Sequence, residues 1–247
     1  MKSAIKSELR KLLTVRTTYV IIIACLLITM LFAGYIEGVR ASVPSLSNPD
    51  LLASESRSAV LFVGLILAFI GLMQLGHEYR YNTIMYTLTS SNKRLKPFFA
   101  KAIVIAMFSV VMGLVITFFS PLCTILGLKI GGHTLGPQQF DYFSIIWRCV
   151  YCVFGYSMYA FILVAIIRSQ IGAIVTFLLM PLMGENILAA LIKDNVRYLP
   201  FSSLQGVAVP NAVGGGVSPA QSAFTSGLYI IVGLAVGAYL FQRRDAN

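Results

Sequence analysis

The chain has 247 residues, 57% of them hydrophobic and 11% charged, with a mean hydropathy of +0.82 and a formal charge of +10. That leaves too little polar surface for a soluble domain, and no segment between its apolar runs is long enough to hold one. In a soluble protein the positive charge would suggest nucleic acid. Beside anionic lipid, membrane orientation already accounts for it, so no nucleic-acid partner is expected.

In chain order, residues 1–16 place Ile5, Leu9, Leu12 and Leu13 at the i, i+4, i+7 and i+8 positions of one helical face, with Lys2, Lys6 and Arg10 on another. The pattern predicts an interfacial amphipathic elbow helix lying along membrane lipid. The basic arm before an apolar run is reminiscent of a secretory signal. No small-residue cleavage site follows, and the run is of full spanning length, so a retained first helix is predicted.

Six apolar runs follow, near Thr18–Ile36, Ser58–Gly76, Phe98–Leu122, Ser144–Ile167, Ile171–Ile192 and Ala223–Phe241. Each is long enough to cross a hydrocarbon core of about 30 Å. All are too long and unbroken to be barrel strands of about 10 alternating residues, so each is predicted to be a helix. The expected fold is an all-α polytopic membrane protein with both termini on one side.

The connectors differ in character. Residues 37–57 and 129–143 are rich in Gly, Pro, Asn and Ser and read as plain links. Residues 77–97 are charged at both ends yet contain Tyr79, Tyr81, Ile84, Met85, Tyr86 and Leu88, which predicts a short docked helix. Only Arg168, Ser169 and Gln170 separate spans four and five, which forces an antiparallel hairpin. Pro181 and Gly184 predict a bend or break in the outer half of span five. Glu185 then lies about 21 Å along that span, where an ionisable group suggests a function or a partner. Arg148, at similar depth in span four, is the candidate partner, and the two together are a candidate translocation path. Residues 193–222 are long enough to fold back as a re-entrant external segment, and Gly233 and Gly237 in span six allow close helix packing.

Cys149 and Cys152 form a C-x-x-C inside an apolar helix and read as small hydrophobes. His77 and His133 fall on opposite sides, so no metal site is expected. Charge fixes the orientation. Six of the 19 basic residues, Arg40, Arg57, Lys129, Arg148, Lys193 and Arg197, fall on one face, and the rest share the face of the termini. By the positive-inside rule both termini are predicted to be cytoplasmic, in a cytoplasmic membrane.

No phosphate-cradling G-x-x-x-x-G-K-[ST], G-x-S-x-G or H-E-x-x-H occurs, so neither a bound cofactor nor enzymatic activity is expected of this chain. The stretch Gly76-His77-Glu78-Tyr79-Arg80-Tyr81-Asn82-Thr83-Ile84, followed by Leu88-Thr89, Lys93-Arg94 and Ala100-Lys101, resembles the segment after the second span of type-2 permeases of ATP-binding-cassette (ABC) exporters. The ending Tyr239-Leu240-Phe241-Gln242-Arg243-Arg244-Asp245 is similar to the close of many such permeases. Leu199-Pro200-Phe201 and Val217-Ser218-Pro219 fit the external segment before it. Asn82 stands where glycine is common, and asparagine is the residue that next best tolerates positive φ.

The resemblance implies one permease domain over residues 1–247, paired with a second permease protomer and docked on a separate cytosolic ABC ATPase that binds ATP and Mg. The elbow (1–16) and the coupling loop (77–97) would relay ATPase closure, with Glu78, Tyr79, Arg80, Thr83 and Ile84 as ATPase-coupling residues. Segment 193–222 would be external. A secondary transporter and a non-transporting immunity or scaffold protein are the alternatives.

Overall fold

The computed structural model describes residues 2–42, 46–83, 95–209 and 217–243. Among them the chain is helical and contains no strand. An arm helix, Lys2–Thr14, ends at Val15, whose extended backbone (φ −77°, ψ 121°) turns the chain into span one. Span one runs as α-helix over Arg16–Thr29 and as π-helix over Met30–Val39. Span two is Leu51–Arg80, span three Leu95–Ile130 and span four Tyr142–Ile167. Span five comprises Gln170–Leu179, a π-helical turn Met180–Gly184, and Glu185–Ile192. A 3-10 turn, Lys193–Tyr198, leads to a short outer helix, Pro200–Ala208, and span six is Pro219–Arg243.

Six helices are long and apolar enough to cross a membrane, as the hydropathy predicts. Several overrun the predicted limits: span three reaches Ile130 instead of Leu122, and span two begins at Leu51 instead of Ser58. Hydropathy marks the lipid-facing stretch alone, whereas helical hydrogen bonding continues into the polar boundary. Span three has Pro121 in its interior and stays helical. Proline offers no N–H to the carbonyl four residues back, and the hydroxyl of Ser56 in span two lies 3.2 Å from that Thr117 carbonyl. In span five the expected bend or break takes the form of a π-helical turn at Pro181, with helix continuing beyond it.

Span four is the centre of the bundle: 67% of its apolar window is buried, against 22% and 11% for spans one and five. It packs on spans two, three and six. Rings at the arm end fill the core, with Phe98 5.1 Å from Phe161 and 5.4 Å from Phe241. The end of span six therefore lies beside the start of span three. Span six sets Gly233 and Gly237 against Ile162 and Ala165 of span four, so this G-x-x-x-G packs within the protomer. A closer approach joins spans one and three, where Gly34 and Gly38 meet Gly127 backbone to backbone. A Cβ on Gly38 would lie 2.8 Å from the Gly127 Cα.

At the far end, the two connectors expected to be plain links are tied together. Gln138 accepts from the Leu52 amide at 3.2 Å and donates to the Asn48 carbonyl at 3.0 Å. Within residues 193–222, expected to fold back, the helix Pro200–Ala208 packs into the core. Its Phe201 lies 5.5 Å from both Tyr159 and Phe177, and its Leu204 carbonyl accepts from the buried Cys152 thiol at 3.2 Å. Cys149 and Cys152 are buried and unbridged.

Candidate coupling site

The arm helix docks through a stripe at i, i+3 and i+7: Ile5, Glu8 and Leu12, with Leu9 beside them. Leu12 is buried, and Ile5 and Leu9 are half-buried against the core. Leu13 departs from the predicted face and is 48% exposed. At about 100° per residue it has rotated to the edge of the stripe.

The acid in the middle of that stripe is the unexpected feature. Glu8 is 5% exposed, and its carboxylate meets a lysine buried inside span three. Lys101, fully buried, donates to Glu8 Oε2 and to Glu78 Oε1, each at 2.7 Å. Lys11 donates to Glu8 Oε1 at 2.8 Å and reaches Glu78 Oε1 at 3.4 Å. Gln74 of span two adds a contact from its amide to Glu8 at 3.4 Å. Two carboxylates and two ammonium groups thus form a charge-balanced clamp that joins the arm helix, the end of span two and the start of span three.

The electrostatics favour the charged forms. Burial works against the Glu8 carboxylate, but Lys101 and Lys11 outweigh it and hold this carboxyl below its ordinary value of 4.5. Burial likewise opposes the Lys11 ammonium, which Glu8 and Glu78 keep above 10.5.

Span two ends in a Schellman motif that aims its last residues. Asn82 adopts φ 53°, the left-handed conformation its side chain tolerates. The Thr83 amide donates to the Glu78 carbonyl at 3.0 Å and the Asn82 amide to that of Tyr79 at 3.4 Å. Glu78 and Arg80, two positions apart, are thereby turned to different surfaces. Glu78 is buried in the clamp, whereas Arg80 is exposed, its guanidinium 5.5 Å from the Tyr81 ring. Tyr79 is half-buried, with the Arg168 guanidinium 5.9 Å over its ring, which links the span four to five turn to the end of span two. That turn is made by Arg168 at φ 59° and by Ser169, whose hydroxyl accepts from the Gly172 amide at 3.2 Å. Thr83 is exposed, and Ile84 lies outside the described residues.

The structure does not bring Glu185 and Arg148 together as a pair. Glu185, 4% exposed, caps the outer helix: its carboxylate accepts from the Phe201 amide at 2.7 Å, the Ser202 amide at 2.6 Å and the Ser202 hydroxyl at 2.5 Å. A helix N-terminus, with its unpaired amides and positive dipole end, replaces the arginine as the partner of this acid. Arg148 instead lies 5.8 Å from the Trp147 ring, among the charges of Arg57 and Asp141.

The sequence reading missed Lys101 and Lys11 as the cations on Glu78, and Glu8 and Gln74 as the other members of the clamp. A signal was available: Glu8 is an acid on the apolar face of a basic helix, and Lys101 stands one turn inside an apolar span.

This is a six-span helical membrane protein with a buried ion clamp that joins its arm helix to spans two and three. The family model described as ABC-2 family transporter protein matches residues 4–184, and the chain belongs to that family. Membership gives it the role of the membrane permease component of an ABC transporter. The match covers the arm helix from Ala4 onward and all members of the clamp. A search of curated proteins finds no match.

Proposed function

We propose that this permease exports its substrate outward across the cytoplasmic membrane, driven by a separate cytosolic ATPase that docks at the arm end of the bundle. The single observation that carries the reading is the Glu8–Lys101–Glu78 clamp. It fuses the arm helix, the end of span two and the start of span three into one body directly beneath the exposed Arg80 and Thr83. A push on that surface enters two membrane helices and the arm at once. Glu78 is then the anchor of the loop, while Arg80, Thr83 and Ile84 meet the ATPase. ATP and Mg are bound by the partner subunit, and none of the cofactor by this chain.

Both termini are cytoplasmic in this reading, with Asn48 and residues 131–136 outside. A second copy of the permease covers the face formed by spans one, two and five, where Phe62 is 69% exposed and Leu182 64%. Lipid covers the remaining apolar surface. A secondary transporter finds less support, because the acid it would use in span five, Glu185, has its oxygens engaged by three donors.

The test is to purify the chain with its associated ATPase and to measure ATP hydrolysis and export. Arg80→Ala should leave the complex in the membrane and abolish stimulated hydrolysis, and Glu78→Ala should do the same. If both variants keep wild-type hydrolysis and export, the coupling role is wrong. Outward labelling of a cysteine at position 3 in intact cells would overturn the orientation.

A further inference from the structure

We propose that the cavity beneath the arm helix binds a protonated alkylamine, an ammonium head on an apolar chain, with Glu78 as its anchor. The cavity has a volume of about 470 Å³ and lies between the arm helix, the start of span one and the end of span two. That is within the usual range of small-molecule sites, roughly 300–1,000 Å³.

The head site is defined by one atom. Glu78 is 8% exposed and lines this cavity, and its two oxygens differ in their surroundings. Oε1 is engaged by Lys101 at 2.7 Å and, more loosely, by Lys11 at 3.4 Å. Oε2 is buried and, among the described residues, has no hydrogen-bond partner. A buried acceptor without a donor is destabilising, and on a carboxylate the donor that best relieves it is cationic. One part of the remaining wall suits a chain, since Leu12, Ile21, Ile70 and Met73 contribute apolar surface, beside the polar Thr14, Thr17, Thr18 and Gln74. Leu13, Val15 and Tyr19, in the chain beside the cavity, are 48%, 38% and 49% exposed, so an apolar chain can continue from the cavity into lipid.

The ammonium can come from an aminophospholipid headgroup or from a free long-chain amine. The experiment uses the full chain in phosphatidylcholine nanodiscs and a dodecylamine carrying a photoreactive diazirine, with cross-links mapped by mass spectrometry. Labelling should be saturable, fall on the peptides spanning residues 12–21 and 70–78, and be displaced by unlabelled dodecylamine. Filling the cavity with Ile21→Trp or Met73→Trp should lower it about tenfold, a loss of about 1.4 kcal/mol in affinity. Glu78→Gln should lower labelling by the amine to a similar degree and leave labelling by the corresponding dodecanol probe unchanged.

Competition when phosphatidylethanolamine replaces phosphatidylcholine assigns the site to the lipid headgroup. Displacement by free dodecylamine alone assigns it to a soluble amphiphile. Labelling spread evenly over lipid-facing helices, or equal for amine and alcohol, overturns the proposal, as does indifference to unlabelled dodecylamine. No nucleotide or ATPase enters the assay, so its outcome is independent of the coupling reading.

Discussion

Replacing Lys101 by methionine removes the one cation that touches both acids of the clamp at full hydrogen-bond strength while keeping the length and apolar stem of the side chain. The ammonium it removes is fully buried and makes two contacts of 2.7 Å. Glu8 and Glu78 are then left buried at 5% and 8% exposure, with only the half-exposed Lys11 to balance two negative charges. Breaking one partner out of a buried ion cluster costs about 3–5 kcal/mol, because the surviving charges lose their compensation. For a chain of this size that corresponds to a fall on the order of 10 °C in apparent melting temperature. Thermal unfolding of the detergent-purified protein measures it, and protease sensitivity of the arm reports whether the helix has come off. Replacing the acids as well, in Glu8→Gln/Lys101→Met/Glu78→Gln, should recover most of the loss, since removing a whole buried ion cluster is often close to neutral. If Lys101→Met costs less than about 1 kcal/mol, or the triple variant is no more stable than the single one, the clamp does not hold the arm.

Glu185→Ala strips the acceptor from three donors at the start of the outer helix and should cost about 1–3 kcal/mol; hydrogen exchange at the Phe201 and Ser202 amides should accelerate, while Arg148→Gln leaves those amides unchanged. Gly127→Ala drives a Cβ into the Gly34 carbonyl and should destabilise by about 1–3 kcal/mol, whereas Gly34→Ala meets its neighbours at 3.5 Å, an ordinary contact, and should be tolerated in the same unfolding assay. Glu8 has a depressed pKa in the folded protein, so its contribution is complete above its unfolded value of 4.5 and is lost as pH falls through the lower folded value. Lys101, Lys11 and Glu78 face it throughout. The raised pKa of Lys11 gives a contribution that is complete below 10.5 and lost as pH rises through the higher folded value. Melting temperature should therefore carry an acid limb below about pH 4.5 that Glu8→Gln removes.

The six spans were legible because hydropathy is an additive property of about 20 consecutive residues. Their ends were not, since Leu51 to Arg57 and Cys123 to Ile130 are helical through backbone bonding that no hydropathy window senses. The disturbance at Pro181 and the acid beside it, Glu185, could be read from spacing alone. Its partner could not, for the amides of Phe201 and Ser202 lie 16 and 17 positions away and are brought near only by the fold of the outer helix. Arg148 was the nearest opposite charge in estimated depth, but charge and depth say nothing of azimuth around a bundle. The clamp failed to emerge for a related reason. Glu8 and Lys101 are 93 positions apart, and each was absorbed into an average, the acid into an otherwise basic arm and the lysine into an otherwise apolar span. Glu78 stood out as an acid at the end of span two, though its immediate partners came into view only in three dimensions.

Span one is bolted to span three at two places. Through the arm, Glu8 grips Lys101, and at the other end Gly34 and Gly38 grip Gly127. Those two points on span three are about 26 residues apart, about 39 Å of helix. A splint fixed at both ends can neither slide nor roll against the limb it supports, so spans one and three have to travel as a single strut. Whatever compliance the bundle has must then reside elsewhere, and span five, with its π-helical turn and only 11% of its apolar window buried, is the slackest member on offer.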